Sequence, residues 1–236
     1  MAVNQNLGDM NANSYVSASQ ANAYFSNRNT TDSWDALATA AKGVVLIQAA
    51  RDINRFNFIG EKYYDNQSME FPRDDHFVVT GICATPTTLN SFKHTNLYST
   101  TYNKYPANYW QEGTVHITAG TPVRDIRRIS LSNVTTGSIT VATNFTATPS
   151  TTAQFIAFAP IDIEIQEAQY EQALYILNNA NIDTLQTYKE LSARRVRIGD
   201  TEVELFMGGS TRIAISPASR KLLSRWIRKS VRIGRG

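Results

Sequence analysis

Residues 113–141, GTVHITAGTPVRDIRRISLSNVTTGSITV, decide the fold class. Within them Val115–Ile117, Arg127–Leu131 and Ser138–Val141 alternate or run apolar, and Gly113, Gly120, Pro122 and Gly137 punctuate the runs. That spacing predicts a meander of strands. A fourth run, Gln154–Phe158, follows Pro149. The surrounding composition agrees: residues 75–160 hold 18 of the 25 threonines and only eight charged residues. β-Branched side chains lose χ1 freedom in a helix and pack well on a pleated surface. Residues 75–160 are therefore expected to form an inserted all-β barrel or sandwich domain. Thr80–Asn108 shows no clear periodicity and reads as loop with weak strand content.

Outward from this block the pattern turns helical. Ser17 and Gln20 have capping-box spacing ahead of Ala21, Tyr24 and Phe25. Asp32 is a good N-cap for a segment carrying Trp34 and Leu37. From Thr39 to Phe56 the apolar positions Ala41, Val44, Val45, Ala49, Ile53 and Phe56 include several at helical spacing, and Gly60 can end the segment. Phe71 precedes Pro72 and is kept out of helix. On the far side, residues 162–178 return to helix, and Val196–Phe206 read as a hairpin turning at Gly199-Asp200. Ser216-Pro217 is an N-cap with proline at the first helical position, followed by Leu222/Trp226 and Leu223/Ile227 pairs. The expected fold is α+β: a several-helix bundle from residues 1–74 and 161–215, with a hairpin at 196–206, carries the β insertion at 75–160. Residues 216–236 form a basic C-terminal helix and tail.

Charge is unevenly placed. The 236 residues carry 23 Lys+Arg against 20 Asp+Glu, yet residues 205–236 hold eight cations and no acid. A mildly acidic body with a basic end points to an anionic partner, nucleic acid or an acidic protein surface. The end combines an apolar seam (Leu222, Leu223, Trp226, Ile227) with Arg225, Arg228 and Lys229, then Val231-Arg232-Ile233 and Arg235. Too short to order itself alone, it is expected to dock on a partner with Trp226 as anchor. Two other basic clusters, Arg124 with Arg127 and Arg128, and Arg194 with Arg195 and Arg197, suit phosphate or intersubunit contacts. Tyr98, Tyr102, Tyr105, Tyr109 and Trp110 are interleaved with Lys104 alone; without more charge they read as packing or an interface.

Motifs for chemistry are missing. There is no phosphate loop, dinucleotide fingerprint or nucleophile elbow. His76, His94, His116 and the single Cys83 lack ligand spacing, so neither metal nor cofactor is expected, and the chain does not read as an enzyme. The apolar runs are too short to span a bilayer and no secretory signal is evident, so no membrane partner is expected.

The flanks carry a resemblance. Asn13–Ser17, Ala21–Phe25, Trp34, Leu46–Ile53, Gly60, Gln67 and Phe71-Pro72-Arg73 follow one another in an order similar to that of the head-to-tail adaptor (connector, head-completion) proteins of tailed bacteriophages. Ile165–Leu177, Val196–Phe206 and Ile215-Ser216-Pro217 to Leu222-Leu223 resume it. Some members of that group are labelled DnaT-like single-stranded-DNA-binding. The resemblance implies a structural virion protein at the head–tail interface. It would form a ring, dodecameric in the family, that joins portal to tail or nozzle protein while DNA passes as cargo. It also implies that Arg225–Lys229, Val231–Ile233 and Arg235 meet the portal. Typical members lack the Asp74–Pro160 insertion and the basic extension. The alternative function is a single-stranded-DNA-binding module, which needs basic and aromatic residues on one surface; only the C-terminal end offers them.

Overall fold

The computed structural model describes residues 2–29, 31–98, 105–179, 195–198, 201–204 and 215–228. The chain divides into two units, one of Met1–Ala2, Val16–Asn57 and Glu164–Gly236, the other of Val3–Tyr15 and Phe58–Ile163.

The second unit is built on seven strands: β1 (Val78–Ile82), β2 (Ala84–Thr88), β3 (Ser91–Lys93), β4 (Thr114–Ala119), β5 (Ile126–Asn133), β6 (Ser138–Val141) and β7 (Gln154–Phe158). They form one antiparallel sheet in the order β1-β7-β4-β5-β6-β3-β2. Its two outermost strands are consecutive in sequence with Cys83 alone between them. Opposite edges of a sheet can be that close along the chain only if the sheet curls, and it does so into a half-barrel. Alternate residues fill the inside: Val79, Phe92, Val115, Ile117, Ile129, Ile139, Phe155 and Ala157 share one core with Cys83 and Trp110. The N-terminal segment belongs here too, with Leu7 N donating to Thr114 Oγ1 at 2.9 Å.

The first unit holds the helices α1 (Ala18–Phe25), α2 (Asp32–Asp35), α3 (Thr39–Ile53), α4 (Ile163–Asn178) and α5 (Pro217–Leu222), and the hairpin β8 (Arg195–Ile198) and β9 (Thr201–Glu204). α1 starts on a full capping box between Ser17 and Gln20. Trp34 is fully buried, 5.0 Å from the Phe25 ring, and its Nε1 donates to Asn22 Oδ1 at 2.9 Å. Gln169, buried on α4, donates to the Leu46 carbonyl at 2.8 Å, joining α4 to α3.

The α+β expectation of a helical adaptor bundle carrying a β insertion is overturned. The described structure is mostly β, a curled seven-stranded half-barrel with few helices. Helical periodicity covers only part of each flank, and the stretches between the helices need not share their unit. Residues 3–15 and 58–77 go with the strands, and the third helix stops at Ile53. Thr80–Asn108 supplies β2, β3 and most of β1 rather than loop.

Candidate nucleic-acid interface

The C-terminal segment folds onto its own unit. The Ser216 side chain caps α5 and Pro217 follows at its start. Ser219, fully buried, donates through Oγ to the Ala168 carbonyl at 2.8 Å, and Leu223 is fully buried beside it. Gln172 of α4 ties three elements together. Its Oε1 accepts from Ser216 N at 2.8 Å, and its Nε2 donates to Asp52 Oδ2 on α3 at 3.0 Å. After α5 a short 3₁₀ turn, Leu223–Arg225, leads the chain to the end of α3, where Arg228 N donates to the Asn57 carbonyl at 2.9 Å.

This path places a basic and an aromatic side chain in direct contact. The Arg225 guanidinium lies over the Trp226 ring, 3.8 Å from its centroid, a cation–π stack. Trp226 and Ile227 are half-buried, whereas Arg225 and Arg228 are exposed. Arg220 and Lys221 extend the basic character along the exposed face of α5. From the last turn of α3 comes Arg51, and from the turn that follows the helix comes Arg55, both exposed. Two carboxylates temper the field: Glu164 meets Arg225 at 3.0 Å, and Asp52 sits 3.6 Å from Arg55. The two guanidiniums are exposed on the outer side, 59% in each case, while the carboxylates beneath them are more covered. A planar guanidinium stacked on an indole offers a second flat face on which an unpaired base can stack.

The other basic residues singled out in the sequence are placed differently. Arg127 is half-buried in β5, held by Asp125 at 3.3 Å and donating to the Asn144 carbonyl at 2.9 Å. Arg128 is paired with Glu112. Both are spent within the half-barrel, and of that cluster Arg124, in a left-handed turn conformation with φ of 68°, is exposed. The β8–β9 register sets Arg195 opposite Glu204 and Arg197 opposite Glu202. Arg194, Lys229, Val231, Arg232, Ile233 and Arg235 lie outside the described residues. Arg51, Arg55 and Asn57 were not singled out; the i, i+4 arginine pair was the available signal.

Among the described residues no group of three or more His, Cys, Asp or Glu side chains is placed to hold a metal ion. Burial pushes the Cys83 thiol up to about 12, far from the thiolate a ligand or nucleophile requires. No described helix is long and apolar enough to cross a membrane.

No curated protein matches this chain. No adaptor family matches either, which overturns the resemblance to phage head-to-tail adaptors. Residues 1–87, which include Arg51, Arg55 and Asn57, are instead similar to a family described as "Putative DnaT-like ssDNA binding protein".

Proposed function

We propose that this chain is a single-stranded-DNA-binding module whose contact surface is α5, the turn after it and the end of α3. The similarity of residues 1–87 supports the class. The observation that carries the site is the Arg225–Trp226 stack beside Arg228, itself seated on Asn57 at the end of α3. Single strands are held by two effects that cooperate: cations that track phosphates, and rings that take the exposed π-faces of bases. Duplex DNA hides those faces, so the stacking contribution is lost while the phosphate contribution remains.

The test is fluorescence anisotropy with a labelled oligothymidylate and a duplex competitor. Affinity for the single strand should exceed that for duplex and fall linearly with salt on log–log axes. Trp226→Ala should cost about 1–3 kcal/mol of binding with little change in salt slope. Arg225→Ala with Arg228→Ala should instead flatten the slope. Equal affinity for duplex, or an unchanged Trp226→Ala variant, would overturn the assignment.

A further inference from the structure

Glu164 stands in the first turn of α4, where the helix dipole favours a carboxylate. The next residue, Ile165, is fully buried and fixes the start of the helix on the core. The Glu164 side chain is partly covered, 36% exposed, and its Oε2 lies 3.0 Å from Arg225 Nη2. That oxygen is shut off from water, yet no donor among the described residues is aligned with it for a hydrogen bond. The contact is therefore one of charge rather than of direction, and an amide in its place would not reproduce it.

Arg225 is thus held from two directions. One nitrogen of its guanidinium meets Glu164, and the group lies 3.8 Å from the centre of the Trp226 ring. The backbone around it is fixed as well. Trp226 N donates to the Leu223 carbonyl at 3.0 Å, and Arg228 N to the Asn57 carbonyl at 2.9 Å. These bonds leave the long Arg225 side chain with many rotamers, and the stack and the ion pair together select one. The pair also sets the charge: Arg225 and Glu164 sum to zero, so a phosphate arriving there meets little net attraction.

We propose that Glu164 is the positioning residue that makes this surface prefer single strands to duplex, a role that rests on the single-strand reading above. It acts through Arg225 in two ways. It holds the guanidinium on the indole, as a flat platform that only an unpaired base can use. It also cancels the Arg225 charge, which would otherwise draw any phosphate backbone, duplex included. Preference is thus gained partly by weakening the competitor.

The test measures oligothymidylate and a duplex of equal length against the full chain, by anisotropy across a salt series. Glu164→Gln keeps the size of a partly exposed side chain and leaves Arg225 one uncancelled charge. Duplex affinity should rise about fivefold near 0.1 M salt, and the duplex salt slope should steepen by about 0.9. Oligothymidylate affinity should change less than about twofold, because the loosened stack offsets the added charge. Glu167→Gln removes the same charge one turn further along α4 and should leave the preference as it was. In a Trp226→Ala background, Glu164→Gln should raise both affinities together, since no stack remains to loosen. If the unaltered chain shows no preference for the single strand, the single-strand reading fails and the role of Glu164 falls with it. If that preference is present but survives Glu164→Gln as fully as it survives Glu167→Gln, the role of Glu164 alone is overturned.

Discussion

His116 lies 5% exposed, its ring stacked 5.6 Å from that of Tyr64, with Nε2 placed 2.7 Å from the Leu7 carbonyl. A carbonyl can only accept, so Nε2 carries the proton. Burial lowers the imidazole from its ordinary 6.5 to about 4, although the bond to Leu7 and the charge of Asp9 act the other way. Below pH 6.5 the unfolded chain therefore binds a proton that the folded chain does not. Stability is full above about 6.5, falls as pH drops toward 4, and levels off below. His76, half-buried with Nε2 placed 2.8 Å from the Ala159 carbonyl, is shifted in the same direction. Urea melts between pH 7 and 4 should lose up to about 1.4 kcal/mol per pH unit from His116, and His116→Gln should flatten that slope. Trp34 tests the other unit. Fully buried against Phe25, it should cost about 3–5 kcal/mol when cut to alanine, read as a lower urea midpoint at unchanged slope.

Among the elements, α5 depends most on a single neighbour. Gln172 is fully buried and supplies both the acceptor for Ser216 N and the donor for Asp52. Gln172→Ala removes both bonds in an apolar setting, at about 1–3 kcal/mol. Its further effect should be to loosen α5, seen as faster amide exchange at Ser219 and Arg220 and weaker oligothymidylate binding without loss of α1. The start of α1 was legible because a capping box is local: Ser17 and Gln20 are three residues apart. β4 to β7 were legible because each run is bounded by its own glycine or proline. β1 to β3 were not. They are short, the β2–β3 pair shifts register between Ala84 and Thr88, and the partners of β1 and β3 lie far along the chain in β7 and β6. The candidate site divides in the same way. Arg225, Trp226 and Arg228 stood out as a basic, aromatic end. Arg55 and Asn57 join them only through the contact of Arg228 with Asn57, which no periodicity records.

At the scale of the whole molecule, the two units are threaded through each other along the sequence. Residues 3–15 serve the half-barrel, 16–57 the helical unit, 58–163 the half-barrel again, and 164 onward the helices. Within the half-barrel, β1 must wait for β7, a pairing of high contact order that closes slowly. The chain also emerges from the ribosome in one direction. When Phe158 is out, every strand of the half-barrel exists, but α1, α2 and α3 still lack α4, and α4 in turn lacks the Ser219 and Leu223 that cover it. The helices born first are thus the last to be completed. Throughout synthesis of the strands, Phe25 and Leu46 must remain without Tyr170 and Gln169 of α4, which later meet them.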